Sequence, residues 1–181
     1  MPPLIETDPF QLEEALASLA ETPRVLSSLL EGLPDSWLYF QEDPEAWSPH
    51  TVLVHFVHNE RSNWIPRARV VLSQEAVRKF PPFQQLPTEG KLMEADVPEL
   101  LAEFTRLRQE GLSFISSQHL GPAQLAREAE HPSLGTVKLS NLLATWVVHD
   151  FNHIHQILKS LAKRHQVSVG PWRQYLGILD L

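Results

Sequence analysis

At 181 residues with 43% apolar positions, the chain is the size of one domain and can bury roughly 70% of its unfolded surface. A net charge of −7 with no run of lysine and arginine argues against a nucleic-acid binder, which needs a basic face to displace counterions. The absence of cysteine excludes disulfides, thiolate ligands and a cysteine nucleophile. Any metal must therefore be held by imidazole or carboxylate, and any thiol chemistry needs a thiol brought in by a cosubstrate.

The opening MPPLIETDPF has neither the basic nor the apolar region of a signal peptide, and the apolar stretch LLATWVV is far short of a membrane span. A soluble, cytoplasmic protein is expected. The first helix is predicted from about Pro9 to Leu33, opened by Asp8-Pro9: the cap accepts an orphan backbone N–H, and proline removes a donor that has no partner there. Thr22-Pro23 repeats that signature inside it and predicts a break or kink. The second helix is opened by Ser48-Pro49 and predicted to run to about Gln74, bent at Pro66. The third runs from about Val97 to His119, with Asp96 as cap and Pro98 in the first turn. The fourth runs from Lys138 or Leu139 to about His165. Between them lie the proline-rich connections LPDSWLYFQEDPEAW, KFPPFQQLPTEG and HLGPAQLAREAEHPSLG, long for a simple bundle and suited to shaping a site over one end. The tail VSVGPWRQYLGIL ends in an apolar segment that can pack across the bundle or against a second subunit.

WVVHDFNHIHQI in the fourth helix carries three histidines and one aspartate. At 100° per residue, His149 and His153 lie about 40° apart and can reach one ion, whereas His155 points about 160° away from His153. In the second helix, His55 sits among Leu53, Val54, Phe56 and Val57, and His58 is about 60° from it, so either can reach inward. Three imidazoles projected from facing helices, completed by water, make an open site of the kind catalytic zinc uses. The remaining histidines, His50, His119, His131, His155 and His165, read as exposed or loop residues. Asp150 is an orienting partner of an imidazole, a surface carboxylate or a salt-bridge partner. Trp47, Trp64 and Trp146 read as core anchors. For a reaction that needs a base, His58 and Asp150 are the candidates, with Glu60, about 140° from His55, the weakest.

The stretch AWSPHTVLVHFVHNER, paired with GTVKLSNLLATWVVHDFNHIHQI, resembles the DinB/YfiT-like superfamily. Its pattern joins a Trp-Ser-Pro cap and a following histidine to an HDxxHxxQI signature. ETPRVLSSLLEGL and VGPWRQYLGIL also fit members, so the resemblance spans nearly the whole chain. It implies an all-α fold, a single four-helix-bundle domain over residues 1–181 with long crossover connections. It also implies a divalent metal, zinc or nickel, on His55, His149 and His153, and a homodimer. Characterised relatives use the metal to activate a low-molecular-weight thiol, such as mycothiol or bacillithiol, for transfer or isomerisation. Others are described as metal-dependent hydrolases. A non-catalytic dimeric stress-response or binding protein with a structural metal is the remaining reading.

Overall fold

The computed structural model describes residues 10–87 and 91–180. Among them are four main helical rods. The first is α1 (Leu12–Leu30), followed by the single turn α2 (Asp35–Leu38). The second rod is split into α3 (Pro49–Ser62) and α4 (Trp64–Leu72). The third is α5 (Val97–Ser117), followed by the turn α6 (Pro122–Leu125). A hairpin of β1 (Glu128–His131) and β2 (Gly135–Lys138) leads directly into the fourth rod, α7 (Leu139–Lys163). Both α1 and α3 pack on α5 and α7, so α1 and α3 face each other across the bundle diagonal.

Two of the expected caps are present. Ser48 accepts the N–H of Thr51 at 3.1 Å with Pro49 next in line, and Asp96 and Glu99 cap each other's backbone reciprocally at the start of α5. The Asp8-Pro9 cap lies outside the described residues. The prolines within the rods behave differently from expectation. α1 runs uninterrupted through Pro23. Proline denies the Leu19 carbonyl its usual i+4 donor, and Arg108 Nη1 of α5 donates to that carbonyl instead, at 2.8 Å. The second rod is broken rather than bent, at Asn63, three residues before Pro66. Pro66 thereby falls in the first turn of α4, where no donor is needed.

The third connection carries a hairpin that the sequence reading took as loop. Its strands pair antiparallel from Glu128–Lys138 to His131–Gly135, with Gly135 at φ 72 in the left-handed region where glycine is favoured. The Phe80 N–H donates to the Glu130 carbonyl at 2.9 Å, and the Glu130 N–H to the Arg78 carbonyl at 2.8 Å. The second connection is thus stitched to the hairpin by backbone bonds. The tail forms short 3₁₀ turns (Gly170–Tyr175 and Gly177–Leu179); Leu179 is buried, while Trp172 and Tyr175 are exposed.

The core has two parts. One contains Leu26, Leu53, Phe56, Leu100 and Phe104; the other contains Leu19, Trp64, Val71, Phe80, Leu139 and Trp146. Phe56 from the first and Trp64 from the second flank the same ring, His149, at centroid distances of 5.8 and 4.9 Å. The histidines sit where the two parts meet.

Candidate metal centre

α3 presents His55, and α7 presents His149 and His153, to this junction. His55, His149 and His153 offer one ring nitrogen each, all within 4.8 Å of one another. His55 Nε2 and His149 Nε2 are 3.0 Å apart. Imidazole nitrogens sharing a divalent ion at about 2.0–2.1 Å lie about 3–3.5 Å from each other. The spacing suits a common cation.

The other ring nitrogens explain why these rings aim inward. His55 Nδ1 donates to the Gln85 carbonyl at 2.5 Å, and His153 Nδ1 donates to Gln156 Oε1 at 2.8 Å. Each bond holds the proton on Nδ1, the tautomer a metal ligand requires, and the Nε2 of His55 then faces His149 Nε2 at 3.0 Å and Asn59 Nδ2 at 3.1 Å. Burial is also the main reason His55 is pushed down to about 3 and His153 to about 4, with the neighbouring imidazoles adding repulsion. Both rings are therefore neutral at neutral pH, and a cation need not displace a proton from them. A set of three imidazoles fits zinc or nickel by ligand type.

The other site candidates lie elsewhere. His58 Nε2 donates to the Gln84 carbonyl at 3.0 Å and its ring stacks on Phe83 at 5.5 Å, outside the triad. Asp150 is buried and accepts from Thr22 Oγ1 at 2.7 Å and from Arg108 at 2.7 and 3.1 Å. Its nearer oxygen is 3.7 Å from His149 Nδ1, beyond hydrogen-bond distance. Burial opposes the ionised form of Asp150, but the charge and hydrogen bonds of Arg108 and the hydroxyl of Thr22 outweigh it and hold the carboxyl below its usual range. Glu60 shares the same guanidinium, accepting from Arg108 at 3.2 and 2.9 Å and from Trp146 Nε1 at 3.0 Å. For Glu60 burial prevails over Arg108, so its carboxyl lies above its ordinary range.

Two cavities share His153 of the triad. One, of about 320 Å³, is walled by His55, His149 and His153 with Trp64, Phe80 and Phe83 among its apolar residues. The second, of about 450 Å³, is more polar and includes Glu42, Glu45, Gln156 and Lys159. Trp47, Gln85 and His153 belong to both walls. Trp47 is therefore a cavity residue, Trp146 is a fully buried anchor, and Trp64 is both a buried core residue and part of the cavity wall. His131 lines the apolar cavity, and His50 is buried, donating from Nε2 to the Ala95 carbonyl at 2.8 Å; both depart from the exposed or loop setting expected of them. The Gln85 contact had no sequence signal, since it uses a main-chain oxygen. Gln156 stood in the HDxxHxxQI pattern.

The DinB superfamily model matches residues 18–157. The chain belongs to the DinB superfamily. Its fold is that of YfiT from Bacillus subtilis, to which it is 20% identical with a TM-score of 0.73, covering 92% of this chain and 93% of that one. YfiT is described as a probable metal-dependent hydrolase with an unusual four-helix bundle topology. No curated protein matches this DinB member in sequence. Among the described residues no helix is long and apolar enough to cross a membrane.

Proposed function

We propose that this DinB member is a metal-dependent enzyme that transfers a low-molecular-weight thiol to an electrophilic carbon, with His55, His149 and His153 holding Zn²⁺ or Ni²⁺. The observation that carries the choice of transfer is the pair of cavities sharing His153, Trp47 and Gln85 as a common wall. A reaction of two organic substrates needs two compartments opening on one centre. The polar side, with Gln156 and Lys159, suits the hydrophilic body of a thiol cosubstrate, and the apolar side suits the electrophile. When bound, the ion would supply Lewis acidity that lowers the pKa of a thiol or water brought to it. The protein's own residues orient and exclude: Gln85 and Gln156 hold two imidazole tautomers, and the hairpin and second connection keep bulk water off the apolar side. In the transfer, sulfur bonds to the carbon, the leaving group departs with its bonding pair, and the thiol proton passes to solvent.

Hydrolysis is the second reading, favoured by the description of YfiT as a metal-dependent hydrolase. The two separate on one assay. Tag-free, zinc- or nickel-loaded protein is given bacillithiol or mycothiol with 1-chloro-2,4-dinitrobenzene, and separately p-nitrophenyl acetate without thiol. Transfer predicts metal-dependent thiol consumption that His149→Ala abolishes. Thiol-independent ester cleavage with no thiol consumption would replace it with the hydrolase reading.

A further inference from the structure

The described residues include two buried arginines, Arg67 and Arg108, and they are provided for very differently. Arg108, fully buried, is met by Glu60, Asp150 and the Leu19 carbonyl. Arg67, only 9% exposed, has no carboxylate within ion-pair distance and no side-chain hydrogen bond among the described residues. What it does have is aromatic: its guanidinium lies 5.0 Å from the Phe80 ring centroid and 5.6 Å from that of Phe83. Cation–π contact recovers part of the lost hydration, and none of the guanidinium nitrogens is sealed from the cavity's solvent, so its donors stand open to a ligand. A buried cation without a counter-ion is costly, and where it lines a cavity the missing anion can come from a ligand.

Arg67 lines the same cavity as the histidine triad. Its surroundings there add donors and no negative charge. His131 Nδ1 accepts from the N–H groups of Ser133 and Leu134 at 3.2 and 3.3 Å, which leaves Nε2 as the protonated nitrogen. Trp64, on the same wall, has a buried indole N–H without a partner. Asp and Glu are missing from the described lining, while Trp47, Trp64, Phe80, Phe83, Val137 and Leu142 make it largely apolar.

We propose that Arg67 is the anion-recognising residue of this cavity, and that the molecule entering it is a small acid with a flat apolar body and a carboxylate. The carboxylate pairs with the guanidinium, whose planar fork suits bidentate contact, and the apolar body fills the space toward the triad. As a statement about substrate this rests on the catalytic reading. As a binding site it stands on the cavity alone, so it is tested on chelator-treated protein, where no metal can compete for the carboxylate.

The test titrates 2-naphthoate and its uncharged counterpart 2-naphthamide into metal-free wild type, Arg67→Met and Arg67→Lys by calorimetry, with circular dichroism confirming each fold. Wild type is expected to bind 2-naphthoate more tightly than 2-naphthamide. Arg67→Met should weaken 2-naphthoate by about tenfold or more, as loss of a charge-assisted pair does, and leave 2-naphthamide unchanged. Arg67→Lys should recover part of the loss. Failure of folded wild type to bind 2-naphthoate, equal affinity for the two probes, or an unchanged Arg67→Met would overturn the assignment. A protein that never takes up metal yet behaves as expected here would refute the catalytic reading and leave the anion site standing.

Discussion

The chemistry of single side chains divides this protein's buried polar groups into two sets. Around the candidate centre, Gln85 and Gln156 accept Nδ1–H from His55 and His153, and one nitrogen of each of the three rings converges on the others. One shell further out, Arg108 joins Glu60 of α3, Asp150 of α7 and the Leu19 carbonyl of α1, so one guanidinium ties three helices to α5. Asp150 directly follows His149, so this network fixes the backbone that carries a candidate ligand. Arg108→Met would leave two carboxylates buried without their cation, a loss expected to cost about 3–5 kcal/mol of stability. Urea denaturation of the metal-free protein measures it, and a change below about 1 kcal/mol would mean that the carboxylates find other partners or water. The sequence allows a salt bridge for Asp150 among other roles but does not name its partner, and Glu60 reads only as a weak candidate base, because their common partner is 42 and 48 residues away and leaves no local pattern.

At the scale of elements, legibility followed how local the deciding interaction is. Ser48-Pro49 and Asp96 with Glu99 act within four residues, and both helices start where those residues say. Pro23 and Pro66 look alike in sequence, yet one sits inside a continuous helix because Arg108 covers the carbonyl it orphans, and the other coincides with a break. The hairpin was illegible for a related reason: EAEH and GTVK are short and mostly exposed, and Glu130 gains backbone partners only from Arg78 and Phe80. α3 and α5 are joined at the surface by Arg61 and Glu103, which also accepts from Arg106. Hydrogen bonds from Arg106 and then Arg61, against a smaller opposing effect of burial, hold Glu103 at about 2 instead of 4.5. A lowered folded-state value means the pairing stabilises fully above about pH 4.5 and is lost as pH falls toward 2. The stability gap between wild type and Glu103→Gln should therefore narrow steadily from pH 5 to pH 3 in thermal melts. A gap that widens in acid would contradict the sign.

For the molecule as a whole, the bundle and the pairing of His149 with His153 follow from helical periodicity and an i, i+4 spacing, whereas the choice of His55 over His58 as their partner rests on the family resemblance. The two cavities follow from none of these, because their walls are assembled from α3, α4, α7, the second connection and the hairpin, and include main-chain atoms. That assembly is what gives the three imidazoles an apolar side and a polar side. It is also what the proposed reaction depends on, and the reaction fails at once if no metal binds. The most direct test is elemental analysis of tag-free protein beside His55→Ala, His149→Ala and His153→Ala, each checked for fold by circular dichroism. The account predicts about one equivalent of zinc or nickel in the wild type and loss of it in all three folded variants. A wild type that stays metal-free after reconstitution with both ions would contradict it.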